Sequence, residues 1–309
     1  MQMRRVILDV DTGHDDAMAI LLAAAHPSLK LEAITVVAGN QVLEKTLANT
    51  VNICSLARID VPIYAGMAQP LVRDQVISPA IHGDSGLGSA VFPAPLREPE
   101  DEHAVDFIIR ACLAEPGELT LIPVAPLTNL AMAFLKEPRL KDCVREVILM
   151  GGAYGLGNYT PAAEFNIFAD PEAAKIVFES GVPLTMIGLD LTHQAMVPPE
   201  VREEIRSIQS PVAQLVVELL EDYGEAYRQV MGFPAPPIHD VCAVAYAIDQ
   251  TLIETKPMHV AVETTRGLCF GRTVCDFYGI TGKAPNANVA VSLDQARFWP
   301  LFVNALRSY

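Results

Sequence analysis

The sequence predicts an α/β protein: an open, doubly wound, mostly parallel sheet flanked by helices, with its active site at the C-terminal ends of the strands. Three observations carry that prediction. Short β-rich runs alternate with helical patterns along the chain, the order that builds parallel crossovers. The runs are continuously apolar, as in strands covered on both faces by helices. The first of them also runs straight into a cluster of carboxylates, at the place where parallel sheets bind ligands.

The elements follow in order. VILDV at 6–10 is the first strand, a helix runs from about Asp15 to Ala25, LEAITVVA at 31–38 is the second strand, and a helix spans about Val42 to Ala57. After a Pro/Gly-rich stretch at 66–99 the alternation resumes with a helix near 102–114 and the strand ELTLIPV at 118–124. A helix opened by Pro126 and the strand VREVILM at 144–150 come next. Asp170 and Pro171 supply an N-cap and a first-turn proline for EAAKIVFES, Gly181 closes that helix, and VPLTMIGLDL reads as a strand. From Pro198 to Met231 the pattern is helical, with apolar positions at helical spacing around an acidic face. A helix over 238–249 begins beside His239 and Asp240, the segment 258–291 returns to short β-rich runs, and DQARFWPLFVNAL closes the chain as a helix. Neither an internal repeat nor a Ser/Gly-rich linker divides the sequence, so residues 1–309 are expected to form a single domain.

Composition narrows the function. With 309 residues, 51% of them hydrophobic, the chain can bury a large core, which excludes a disordered reading. Lys and Arg number 22 against 37 Asp and Glu, a net charge of −15 that would repel nucleic acid and anionic lipid. A small neutral or cationic ligand suits it better. The start, MQMRRVILDVD, lacks the apolar core of a secretory signal, and no uncharged apolar stretch approaches the roughly 20 residues of a membrane span. Six cysteines without a CxxC pair read as reduced core thiols, so a cytoplasmic protein is expected.

The densest chemical signal is DVDTGHDD, with Asp9, Asp11, Asp15 and Asp16 inside eight residues. Asp9 and Asp11 share one side by strand alternation, and Gly13 permits a tight turn. Asp15 and Asp16 have a simpler reading as acids at the start of the next helix. No Lys or Arg lies between Arg5 and Lys30 to neutralise the cluster, which favours a divalent cation held by oxygen donors, calcium or magnesium rather than zinc. Asp240 is a further acid at a helix start, either an N-cap or part of the same site. Glu164 and Asn166 lie two apart on one side of an extended, apolar-framed stretch, where they either satisfy local backbone or face a polyol ligand. The glycines at 151–157 fail the GxGxxG spacing, so that segment is a loop rather than a dinucleotide site, with Asn158 turned to a ligand. His82 opens a flexible glycine-rich loop and is either structural or reaches a substrate.

In order along nearly the whole chain, DVDTGHDD at 9–16, VAGN at 37–40, IHGDSGLG at 81–88, PLTNLA at 126–131, ILMGGA at 148–153, AEFNIFADPEAA at 163–174 and IHD at 238–240 resemble the motifs of the calcium-dependent nucleoside hydrolases, inosine-uridine-preferring type. The family commonly has Pro where this chain has Thr12, a departure that leaves every carboxylate in place. The resemblance implies hydrolysis of the N-glycosidic bond of ribonucleosides to ribose and free base, in a homo-oligomer, often a tetramer. It implies one Ca2+ per subunit, held by Asp11, Asp16, Asp240 and the backbone carbonyl of Val124, with a calcium-bound water activated by Asp11 as general base. Asp15 and Asn166, helped by Asn40, would grip the ribose 2′- and 3′-hydroxyls, while Asn158 and Glu164 would hold the 5′-hydroxyl. Asp9 would orient Asp11 or Asn40. A carboxylate-lined pocket suits the oxocarbenium-like transition state of such cleavage. His239 and, second to it, His82 are the candidates to protonate the leaving base. Purine-specific members grip the base between tryptophans, whereas the sole tryptophan here, Trp299, lies in the closing helix. Pyrimidine ribonucleosides are therefore expected, with inosine as a further candidate and Tyr223, Tyr227 and Arg228 lining the base side.

Two alternatives differ in class. VILDVDTG also resembles the first motif of haloacid-dehalogenase-like phosphatases, but GLDLT at 188–192 is a poor match to their later acidic motif. A non-catalytic calcium-dependent nucleoside-binding protein would keep the ribose and metal residues while dispensing with the Asp11 base and the His239 acid.

Overall fold

The computed structural model describes residues 3–309. Its first half contains β1 (Arg4–Val10), α1 (His14–Ala25), β2 (Leu29–Val36), α2 (Leu43–Ala57), β3 (Ile63–Ala65), α3 (Pro79–His82), α4 (Ala104–Ala114), β4 (Leu119–Pro123), α5 (Thr128–Lys136) and β5 (Glu146–Met150). There follow α6 (Phe165–Ala169), α7 (Pro171–Phe178), β6 (Leu184–Ile187), α8 (Leu189–Thr192), α9 (Pro199–Arg206), α10 (Pro211–Met231), α11 (His239–Ile248), β7 (Ile253–Met258), β8 (Val260–Val262), β9 (Thr273–Cys275), β10 (Ala287–Leu293) and α12 (Gln295–Leu306).

Eight strands form one sheet in the order β3-β2-β1-β4-β5-β6-β10-β7, parallel throughout except where β7 runs antiparallel to β10. The chain winds outward from β1 to β3, then returns to lay β4 on the other side of β1. That reversal opens a crevice above the β1 and β4 ends. Alternation along β1 divides its apolar side chains: Val6, Leu8 and Val10 pack into the layer of α1, α10, α11 and α12, and Ile7 into the layer of α4, α5 and α7. Both sheet edges are curtailed, since β3 has only three residues and the outer strand β7 carries Pro257 opposite Asn288.

The structure departs from the sequence reading at four places. The run VPLTMIGLDL stops being a strand at Ile187, because Gly188 turns the chain and α8 begins at Leu189. The helical stretch 198–231 breaks into α9 and α10 around Gln209, which sits at φ 55°, and the Ser210 hydroxyl caps α10 by accepting the Ala213 N–H at 3.1 Å. Strand structure in the tail begins at Ile253 rather than 258, and β8 with β9 forms a separate two-stranded ribbon. Within the Pro/Gly-rich stretch 66–99, His82 is the buried end of the short helix α3 rather than a loop residue, and the glycine-rich loop begins only after it. Among the described residues no helix is long and apolar enough to cross a membrane.

Candidate active site

Above the β1 and β4 ends lies a cavity of about 360 Å³ bordered by Asp15, Asn40, α3, Val124, the 158–166 segment, α10 and the start of α11. Its acidic end grows from the turn between β1 and α1. Asp16, in the first turn of α1, accepts the Gly13 N–H at 2.9 Å and the Asp11 N–H at 3.1 Å, so the helix-start reading holds for this residue. The same carboxylate also takes the Asn40 side-chain amide at 3.2 Å. Asp11 accepts the Asn40 backbone N–H at 2.6 Å through Oδ2, while its Oδ1 is buried with no partner among the described residues. Asp15 borders the cavity together with Tyr223 and Asp240. One oxygen from each of Asp15, Asp16 and Asp240 lies within 4.8 Å of the others.

Asp11, Asp15, Asp16 and Asp240 are all buried. Burial, then the charges of their neighbours, hold Asp11 and Asp240 well above the usual carboxylate range and lift Asp15 to about 7. Burial also raises Asp16, opposed by the N–H groups of Gly13 and Asp11. No lysine or arginine contributes to any of these shifts. An orphaned oxygen amid uncompensated, all-oxygen donors fits a hard divalent cation.

Two glycines permit the crowding. Gly13 is extended (φ −109°), so it serves no left-handed turn; a Cβ there would stand 2.4 Å from His82 Nδ1 and 2.9 Å from Asn40 Nδ2. At Gly39 a Cβ would stand 2.1 Å from Asp11 Oδ2.

Asp9 does not join this cluster. Because β1 ends at Val10, strand alternation no longer relates Asp9 to Asp11. Asp9 points with Ile7 among Ile108, Leu121 and Leu130, where it accepts Thr35 Oγ1 at 2.5 Å and Asn129 Nδ2 at 2.8 Å. It hydrogen-bonds neither Asp11 nor Asn40, contrary to the orienting role expected of it. Burial lifts its carboxyl to about 7.

Glu164 is the N-cap of α6, not part of an extended stretch. It accepts the N–H groups of Asn166 (2.8 Å), Gly152 (2.9 Å) and Ile167 (3.1 Å), and burial raises it to about 7. Asn166 follows in the helix and donates to the carbonyls of Val124 at 3.0 Å and Met150 at 3.3 Å, tying together the ends of β4 and β5. Asn158 accepts the Phe165 N–H at 2.9 Å. All three border the cavity.

The opposite end is aromatic. His239, first residue of α11, bonds Thr192 Oγ1 through Nδ1 at 2.7 Å and the Tyr227 hydroxyl through Nε2 at 2.6 Å. Tyr223 stands edge-on to Tyr227, with ring centroids 4.9 Å apart, and both border the cavity. His82 is 5% exposed and packs with its ring centroid 5.4 Å from that of Tyr223. Burial holds both histidines well below the ordinary imidazole range.

Arg228 does not line the base side: it is on the outer face of α10, paired with Glu225. Trp299 is buried in α12 against Phe298, apart from the cavity. Sequence reasoning gave no role to Thr192, which directly follows the run read as strand, and passed over His14, which lies inside the most conspicuous motif. It also missed the wall formed by Ile77, Ile81, Val230 and Met231, whose residues fall in an aperiodic stretch or at a helix end.

A family model described as inosine-uridine preferring nucleoside hydrolase matches residues 6–300. The pyrimidine-specific ribonucleoside hydrolase RihB of Escherichia coli O157:H7 is 46% identical over 309 residues, covering 100% of this chain and 99% of that protein. Among solved structures, the purine-preferring ribonucleoside hydrolase from Gardnerella vaginalis superposes with a TM-score of 0.93 at 35% identity, covering 99% of this chain and 98% of the other. The plant nucleoside hydrolase PpNRh1 superposes with a TM-score of 0.91 at 31% identity, covering 99% of both. Neither the phosphatase alternative nor the non-catalytic alternative finds support in these comparisons.

Proposed function

The chain belongs to the inosine-uridine preferring nucleoside hydrolase family and is a ribonucleoside hydrolase, an N-glycosidase, and from that premise we propose that it acts on pyrimidine ribonucleosides, uridine and cytidine foremost, with inosine as a further substrate. The observation that carries the substrate assignment is the make-up of the base end: His82, His239, Tyr223 and Tyr227, with the one indole buried elsewhere in α12. The name of the RihB relative supports the same assignment.

Asp11, Asp16, Asp240 and the Val124 carbonyl are the residues that would hold a calcium ion, with Asp15 adjoining Asp16 and Asp240. When bound, the ion would supply charge to fix the ribose 2′- and 3′-hydroxyls and to acidify the attacking water. Asp11 Oδ1, free of other bonds, accepts the proton of that water as general base. Asp15, Asn166 and Asn40 position the diol, and Asn158 and Glu164 the 5′-hydroxyl. The surrounding carboxylates favour the positive charge that grows on the sugar as the glycosidic bond lengthens. Both ring nitrogens of His239 are engaged by hydroxyls, so a proton delivered from it to the departing base passes through Tyr227 or follows a side-chain movement. His82 is the second donor.

We further read residues 1–309 as one hydrolase domain, working in the cytoplasm as a homo-oligomer, a tetramer foremost. Reduced thiols support the compartment, all six cysteines being free. A kcat/KM panel on uridine, cytidine, inosine and adenosine, run on chelated enzyme with and without added calcium, tests the proposal. Uridine and cytidine should lead, and only after calcium is restored; a purine preference or full activity in metal-free enzyme overturns it.

A further inference from the structure

His14 takes no part in the chemistry above and does not border the cavity, yet it is buried at 1% exposure directly behind His82 and Tyr223, which do. Its ring packs against two residues of the base end, with centroids 5.0 Å from Tyr223 and 5.3 Å from His82, both in stacked arrangement. Two of its nitrogens approach one atom of His82: the backbone N–H donates to Nδ1 at 3.3 Å, and the ring Nδ1 stands 3.2 Å from the same Nδ1.

We infer that His14 fixes the tautomer of His82, holding its Nδ1 as an acceptor so that the ring presents Nε2–H to the cavity. A backbone nitrogen can only donate, so the His82 Nδ1 facing it must carry a lone pair, and a neutral imidazole then has its proton on Nε2. Of the two facing ring nitrogens, the one on His14 must therefore carry the hydrogen. That choice leaves His14 Nε2 as a bare acceptor, in keeping with its being buried and without a partner among the described residues. Both hydrogen bonds of the His82 ring are made through Nδ1, and His82 borders the cavity, so the assigned Nε2 hydrogen is left for whatever occupies it. Burial and the neighbouring histidines hold His82 in the neutral form that this tautomer requires. The missing Cβ of Gly13 allows the close approach, since one there would press on the Nδ1–Cε1 edge of His82 at 2.4 and 2.7 Å.

His14 is thus a positioning residue, and its catalytic consequence rests on the reading of His82 as a proton donor to the departing base. The tautomer itself does not. It is read by 15N chemical shifts of the ring nitrogens in histidine-labelled enzyme, with His82 assigned by the signal lost in His82→Gln. The expected spectrum has a protonated Nε2 and an unprotonated, hydrogen-bonded Nδ1 on His82; a protonated Nδ1 overturns the inference.

His14→Phe keeps the stack on Tyr223 and removes the ring donor, and should weaken the hydrogen-bonded signature of His82 Nδ1. His14→Asn puts an amide donor near the lost position and should restore it. Unchanged His82 shifts in His14→Phe would overturn the role of the ring. If His14→Phe does not fold, the wild-type spectrum and His14→Asn still decide. For uridine, kcat should fall about tenfold in His14→Phe with KM little moved, and recover in His14→Asn, the size expected for one hydrogen bond. The loss on uridine should exceed the loss on p-nitrophenyl riboside. If the shifts move as expected while uridine turnover does not, the tautomer assignment stands and His82 is not the donor.

Discussion

The two ends of the cavity are built by different means. At the ribose end, Asp16 is tied to the N–H groups of Asp11 and Gly13, five and three residues away, and the acids crowd against one another. At the base end, His239 is held by Thr192 and Tyr227, 47 and 12 positions away, and His82 by His14, 68 positions away. Backbone N–H groups near in sequence thus do much of the holding at one end, joined by Asn40, and contacts across long sequence separations hold the other. Damage to the ribose end should therefore hurt every substrate alike, while damage to the base end should hurt in proportion to how much the leaving group needs a proton.

The largest effect should come from the substrate. If the acidic end holds the ribose diol, removing the 2′-hydroxyl strands buried polar groups, and kcat/KM for 2′-deoxyuridine should fall roughly 10⁴–10⁵ below that for uridine. Comparable values would remove the diol from the acidic end and erase the contrast. Next in size, Asp11→Ala should lower kcat by about 10²–10⁴, on uridine and p-nitrophenyl riboside alike, because both need the attacking water deprotonated. A near-normal mutant would move the base elsewhere. His239→Ala should cost uridine on the order of 10² in kcat yet leave p-nitrophenyl riboside nearly untouched, since that leaving group departs without a proton. Equal losses on both would make His239 a structural support and return the donor role to His82. The smallest effect is expected from Tyr227→Phe, which leaves His239 Nε2 unpaired in the interior. A loss of about 1–3 kcal/mol in unfolding free energy should accompany a modest fall in uridine turnover. A variant as stable as wild type would mean that the His239 contact is dispensable.

The same division explains what the sequence disclosed. The parallel sheet was legible because continuous apolar strands and capped helices are local signals, and the acid cluster because four aspartates fall within eight residues. The ribose-side residues Asp15, Asn40, Asn158, Glu164 and Asn166 all reach the cavity wall. What failed was inference across a break in regularity. Asp9 and Asp11 were placed on one side by a strand period that stops at Val10, and Glu164 was read as extended although it caps a helix. His82 passed as a loop residue because the four-residue helix that buries it has no apolar periodicity to reveal it. Arg228 and Tyr227 are neighbours in sequence, yet helical geometry turns one outward to Glu225 and the other inward to His239.

The curtailed sheet edges bear on what the sheet can add to itself. A strand can be extended by a foreign chain only if it offers a row of free N–H and C=O groups. At one border β3 is three residues long, and Tyr64 within it already bridges to Glu100. At the other, Pro257 interrupts β7 with a residue that has no N–H to give, next to the cation of Lys256. Strand-by-strand polymerisation is therefore obstructed at both borders.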